Sequence, residues 1–211
     1  MSSRQIAAEI EQEKLIAIIR ADSADGLVQV AKALETGGCR LIELTMTTPN
    51  ALEILKEAST ALPNCVFGAG TVLDGPTARM AIYAGARYIV SPILDLGMIE
   101  MCRTYDVVSV PGAFTPTEMV TAWRAGTEFV KWYPANPIGP EFIKHLKGPL
   151  PQLKVIPTGA INLDNAAAFL KAGATAVAAG TELVGKGPIT DQRLKDITDR
   201  ARRFKALVGS V

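Results

Sequence analysis

Short apolar runs alternate with helix-length amphipathic segments along the whole chain, and few architectures accept that order. The runs fall at 15–19, 41–44, 65–68, 88–90, 107–110, 129–131, 155–157 and 176–178. They are apolar almost throughout rather than at every second position. Each is therefore expected to be buried on both faces, as parallel strands covered by helices are. Helical spacing covers 24–35, 49–62, 76–84, 96–105, 116–125, 140–146 and 163–171, and 191–207 ends the series. Gly37, Gly85, Gly126 and Gly173 each stand a few residues before a strand, where a left-handed helix cap is expected. Three segments look alike: Tyr83-Ala84-Gly85-Ala86, Arg124-Ala125-Gly126-Thr127 and Lys171-Ala172-Gly173-Ala174. They return at intervals of roughly two strand–helix units, a quasi-repeat of the kind a radial architecture leaves. Eight strands and eight helices predict an α/β protein, a (β/α)8 TIM barrel with 3–14 as an extra N-terminal helix closing its bottom. A doubly wound open sheet is the competitor, because strand number alone does not impose closure.

With 211 residues and no linker-like stretch, 1–211 reads as one domain around one core. A hydrophobic content of 48% argues against disorder, and a net charge of +1 makes no electrostatic case for nucleic acid or an anionic membrane. The basic stretch 200–205 has helical spacing and is expected to be a solvated face. Cys39, Cys65 and Cys102 are odd in number and far apart, which fits free thiols in a reducing compartment. The first fourteen residues lack an apolar signal core, and no apolar run is long enough to span a bilayer, so a cytoplasmic protein is expected. The single histidine, His145, belongs on an exposed helix surface. One imidazole can supply neither a multi-histidine zinc site nor a Ser-His-Asp triad, so no metal is expected.

In a barrel of this kind, chemistry belongs at the carboxyl ends of the strands. Lys131 ends the sixth strand, in Phe129-Val130-Lys131-Trp132-Tyr133-Pro134. Burial disfavours an ammonium, and the neutral amine is the nucleophile that forms a Schiff base with a ketone. A solvated lysine at a strand end is the structural alternative. Glu43, in Leu41-Ile42-Glu43-Leu44-Thr45, faces opposite to Ile42 and Leu44, so it points inward if those two pack on helices. A buried carboxyl with a raised pKa suits a proton shuttle, and an ion pair with Arg20 or Lys131 is its structural alternative. Tyr133 shares the Lys131 face and could wall the pocket. Arg20, Thr71, Ser91, Pro92, Pro111 and Thr158 occupy equivalent ends of other strands. The turns Pro157-Thr158-Gly159-Ala160 and Ala179-Gly180-Thr181-Glu182 follow the last two strands, where barrels bind phosphate through backbone N–H groups. Both could equally be ordinary strand-to-helix turns. Gly68-Ala69-Gly70-Thr71 lacks the further glycine of a dinucleotide-binding loop.

Taken together, these motifs resemble the 2-keto-3-deoxy-6-phosphogluconate (KDPG) and 4-hydroxy-2-oxoglutarate (KHG) aldolase family, which includes phosphogalactonate homologues. The resemblance runs from about Lys14 to Gly185. It is carried by Ala17-Ile18-Ile19-Arg20, Ile42-Glu43-Leu44-Thr45, Gly68-Ala69-Gly70-Thr71-Val72-Leu73, Val90-Ser91-Pro92, Pro111-Gly112, Thr115-Pro116-Thr117-Glu118, Val130-Lys131-Trp132-Tyr133-Pro134 and Pro157-Thr158-Gly159. It implies a homotrimeric class I aldolase, needing no cofactor, that cleaves a 2-keto-3-deoxy sugar acid into pyruvate and an aldehyde. On this resemblance Lys131 is the Schiff-base lysine and Glu43 the general acid/base. Arg20, Thr71 and Thr158 are substrate ligands, and Gly159, Ala160, Gly180 and Thr181 match the phosphate-binding turns. The chain departs from the family where an arginine is usual and Thr47 stands, and at Ala160 and Thr181, which replace a glycine and a serine. Glu182 places a carboxylate beside the expected phosphate site. A related substrate, phosphorylated or not, is therefore compatible with the chain. Two other functions fit the same residues: a non-catalytic barrel that binds a phosphorylated metabolite, and a decarboxylase or isomerase using Lys131 as an acid.

Overall fold

The apolar runs form parallel strands throughout the computed structural model, which describes residues 1–211. The strands are β1 (Leu15–Ile19), β2 (Leu41–Thr45), β3 (Val66–Gly70), β4 (Tyr88–Val90), β5 (Val108–Val110), β6 (Gly112–Ala113), β7 (Phe129–Trp132), β8 (Lys154–Pro157) and β9 (Val177–Ala179). The helices are α1 (Ser3–Glu13), α2 (Leu27–Thr36), α3 (Ala51–Ala61), α4 (Gly75–Tyr83), α5 (Leu96–Thr104), α6 (Pro116–Arg124), α7 (Glu141–Lys147), α8 (Ala166–Lys171), α9 (Thr181–Val184) and α10 (Asp191–Gly209). Side chains at the helix starts mark several boundaries. Asp74 and Asp95 accept from the backbone N–H groups of Thr77 and Met98, and Thr115 and Glu118 form a reciprocal capping box.

Six strands pair in the order β5-β4-β3-β2-β1-β9 and three in the order β6-β7-β8, with a parallel bridge from Thr158 to Ala178 between the groups. The run expected at 107–110 forms β5, and a second short strand that the sequence did not predict, β6, follows it. β5 pairs with β4, and beyond Pro111 the chain continues as β6 beside β7. Proline has no N–H to give a ladder. The Pro111 carbonyl still accepts from the Lys131 N–H at 2.9 Å.

The period of two sorts the strand side chains onto two faces. Ile42, Leu44, Ala69, Ile89, Val130 and Trp132 join the larger core under the helices. Ile16, Ile18, Leu41, Val66, Tyr88, Val90, Val108, Val110, Phe129 and Ile156 form a second core, which Ile6, Ala7 and Ile10 of α1 complete. Lys154 at the start of β8 ties α1 down through Glu11 at 2.6 Å. No helix is long and apolar enough to cross a membrane.

Two local expectations need correction. Gly85, Gly126 and Gly173 adopt left-handed backbone, but Gly37 does not, with φ at −82°; the neighbouring Gly38 carries the positive φ of 90°. Gly37 is needed for a different reason, since a Cβ there would collide with Ala201 and the Thr198 carbonyl of α10. The segment after β9 is not a simple turn, because Thr181 begins the four-residue helix α9.

Candidate active site

Lys131 is third in β7 and points to the same side as Phe129, into the second core, where it is buried at 6% exposure. Glu43 is third in β2 and buried at 1%. Ile42 and Leu44 pack outward under the helices, which turns Glu43 inward. Its carboxylate leans over β3 into the space left by Gly70, where any Cβ would collide with it. Burial raises the Glu43 pKa above its ordinary value, and the positive charges of Lys131 and Arg20 oppose that rise without cancelling it. The lysine and the carboxylate therefore share one electrostatic environment at the carboxyl ends of the strands.

Arg20 follows β1 and is exposed, and its Nη2 donates to Thr71 Oγ1 at 3.4 Å. Thr71 sits in left-handed backbone just after β3, with φ at 58°. Pro92, just after β4, packs against Gly112, where a Cβ would strike the Pro92 carbonyl group. The Tyr133 ring centroid lies 5.5 Å from Lys131 Nζ, and the ring is 44% exposed. Thr158 is buried; its N–H donates to the Trp132 carbonyl at 3.0 Å and its own carbonyl accepts from the Ala135 N–H at 2.9 Å. Gly159 and Ala160 are successive left-handed residues, with φ of 103° and 51°. Asn165 Nδ2 donates to the Ala160 carbonyl at 3.0 Å and fixes that turn. Gly180 precedes α9 and Thr181 is its exposed first residue.

One cavity of about 580 Å³ gathers these groups. All eleven site residues expected from sequence line it: Lys131, Glu43, Arg20, Thr71, Pro92, Tyr133, Thr158, Gly159, Ala160, Gly180 and Thr181. Glu182 also lines it, at the end occupied by the two glycine-bearing turns. The apolar wall of Ile18, Ile161, Ala178 and Val184 was not foreseen, and only the inward parity of Ile18 and Ala178 could have signalled part of it. Thr47 lies outside the lining; its hydroxyl exchanges a hydrogen bond with Thr45 at 3.1 Å. Grooves of about 540 and 610 Å³ run between α2 and α10 and between α3 and α4, but neither brings a buried lysine to a buried carboxyl. No three His, Cys, Asp or Glu side chains converge in a group that could hold a metal ion. Chemically, the cavity offers a lysine amine, a carboxyl whose proton is held more tightly than usual, an arginine–threonine pair, and two glycine-bearing turns at its far end.

A family model described as KDPG and KHG aldolase matches residues 6–200. The 2-dehydro-3-deoxy-phosphogluconate aldolase of Pseudomonas aeruginosa is 30% identical over 179 residues, 84% of this chain and 81% of that protein. The KHG/KDPG aldolase of Escherichia coli K12 is 27% identical over 189 residues, 89% of each chain. Among solved structures, the KDPG aldolase of Legionella pneumophila, with pyruvate captured as a covalent carbinolamine intermediate, superposes with a TM-score of 0.83 at 26% identity. That match covers 92% of this chain and 95% of the other.

Proposed function

We propose, because the chain belongs to the KDPG and KHG aldolase family, that it is a class I lyase whose Schiff-base residue is Lys131. The observation that carries this reading is the buried Lys131 inside the same cavity as the buried Glu43, whose pKa is raised by burial. The Lys131 amine attacks the C2 carbonyl of a 2-keto-3-deoxy acid to give a carbinolamine, and loss of water leaves an iminium. Glu43 carries the protons of these steps, directly or through water. In the cleavage step the C4 hydroxyl proton passes to the Glu43 carboxylate as the C3–C4 bond breaks. The iminium takes up the electron pair, the aldehyde leaves, and the enamine is protonated at C3 and hydrolysed to pyruvate. Arg20, Thr71 and Thr158 hold the keto-acid end, with Pro92 and Tyr133 walling the reacting carbons. Gly159, Ala160, Gly180 and Thr181 cradle a 6-phosphate, which makes a KDPG-like acid the preferred substrate and glyceraldehyde 3-phosphate the aldehyde. Glu182 at that end favours a second reading, in which the substrate carries no phosphate there; 4-hydroxy-2-oxoglutarate and the phosphogalactonate isomer are the other acids the family membership brings in.

The reading extends to the whole molecule. Counting β5 and β6 as one strand bent at Pro111, and joining the two sheets through the Thr158–Ala178 bridge, the chain is a closed (β/α)8 barrel of one domain, 1–211, with α1 across its bottom. It works in the cytoplasm as a homotrimer, for which exposed apolar side chains such as Met80, Tyr83, Leu96 and Ile138 offer subunit-facing surface.

Borohydride reduction in the presence of pyruvate tests the chemistry, because only an iminium is trapped covalently. Inactivation with a pyruvate-derived mass on Lys131 is expected. A label on another lysine, or no label, overturns the assignment.

A further inference from the structure

Tyr88 carries a polar atom that the chemistry above does not use. Its side chain is fully buried in the second core, yet its hydroxyl has no hydrogen-bond partner in the protein. Buried hydroxyls are nearly always paired, and a phenylalanine would fill the same space without a desolvated O–H. The other side chains of this core are aliphatic apart from Phe129, and none carries an atom that accepts a hydrogen bond.

Cross-strand register shows where the hydroxyl is directed. Glu43 of β2 is level with Gly68 of β3, and Gly68 is level with Tyr88 of β4. The three residues form one row across the inner face. Gly68 leaves its place in that row empty, and the Tyr88 ring fills it: a Cβ at Gly68 would overlap Cδ2, Cε2 and Cζ of the tyrosine. Cζ bears the hydroxyl. The phenol therefore reaches from β4 across β3 toward β2, where the next inward side chain is Glu43. Gly70, two residues on, makes room for the Glu43 carboxylate on the same strand. The two glycines of β3 thus let a phenol and a carboxyl approach each other over the same strand.

We propose that Tyr88 is a positioning residue for Glu43, its phenol donating to one enclosed water that donates in turn to the Glu43 carboxylate. This rests on the reading of Glu43 as the proton carrier. The charged groups facing Glu43 are Lys131 from β7 and Arg20 from β1; those acting on Tyr88 are Glu43 and, less strongly, Cys65 just before β3. Burial, then the Glu43 charge, hold the Tyr88 phenol protonated well beyond its ordinary range, so it remains a donor at any pH at which the enzyme works. A donor stabilises the charged carboxylate, so it lowers the Glu43 pKa and keeps the side chain aimed at the reacting carbons.

The test is Tyr88→Phe, alone and combined with Glu43→Gln. The single variant should fold, since the ring still fills the Gly68 place. Loss of the hydrogen bond should move the acid limb of kcat/KM up by about one pH unit and lower kcat by about tenfold, with KM little changed. In the Glu43→Gln background the same substitution should cost nothing further. A pH profile that superposes on the parent's, or an equal fold-loss in both backgrounds, overturns the proposal. Titration of ¹³C-labelled glutamate carboxyls gives the Glu43 pKa without turnover. An upward shift in Tyr88→Phe supports the contact, and no shift overturns it. Borohydride labelling of the parent separately decides the Schiff-base reading.

Discussion

Burial raises the Glu43 pKa, and this single shift links stability to the proposed proton transfer. A carboxyl whose pKa is higher in the folded than in the unfolded chain contributes stability that is complete below its ordinary value near 4.5. That contribution is lost as pH rises through the folded value, because folding then holds a charge where it is poorly solvated. Glu43→Gln removes the dependence. The melting temperature of the variant should match the parent's at low pH and exceed it increasingly as pH climbs above the ordinary carboxylate range. Thermal unfolding over a pH series measures this, and a parent that gains on the variant over that window contradicts it. The same substitution cannot exchange a proton, so turnover should fall about 10²-fold or more, the scale of general acid–base catalysis. Sequence turned Glu43 inward because the strand period of two, with Ile42 and Leu44 as neighbours, is a local rule, and it singled out Lys131 by its apolar neighbours. Gly68 and Gly70 were legible only as an incomplete dinucleotide loop and as part of a family motif. Their contacts with Tyr88 and Glu43 come from strands that are neighbours only in space.

Among the helices, α9 was the one hidden from sequence. Four residues are too few to show helical periodicity, and the preceding glycine reads as a turn. Its formation puts Thr181 and Glu182 in one helical turn at the cavity wall, where a hydroxyl and a carboxylate act oppositely on an anionic group. Thr181→Ala should lower kcat/KM for a phosphorylated 2-keto-3-deoxy acid and leave its unphosphorylated analogue nearly untouched. Glu182→Gln should raise kcat/KM for the phosphorylated acid alone. Steady-state rates on the paired substrates check both. A parent enzyme that turns over the unphosphorylated acid as well or better would assign the far end of the cavity to a neutral tail, with Lys131 keeping its place. Remote binding of this kind appears in kcat/KM because it helps hold the reacting carbons in position.

At the scale of the whole molecule, α1 is a packing element as well as an extra helix. Ile6, Ala7 and Ile10 complete the inner core, and Glu11 and Glu13 pair with Lys154 and Lys205. Ile10 is fully buried, so Ile10→Ala should cost about 2–4 kcal/mol of stability, the usual range for a large core truncation. Replacing Glu11 by Ala should cost far less, because its pair with Lys154 is substantially solvent-exposed. Denaturant titration compares the two. A cheap Ile10→Ala would mean that α1 rests on the inner core without filling it.

Local patterning was enough to determine the strand–helix order, the inward parity of Glu43, the place of Lys131 at a strand end, and where the glycine-bearing turns fall. These depend on residues within a few positions of one another, where the side-chain periods of strand and helix act. The tertiary structure alone decided that the chain passes from one sheet to the other at Pro111, and that Gly37 is required by the approach of α10 rather than by its own backbone. It also decided that Tyr88 lies in line with Glu43 across Gly68. Each of these is a contact between segments distant in sequence. Its geometry depends on register and packing distance, which no short window of residues contains.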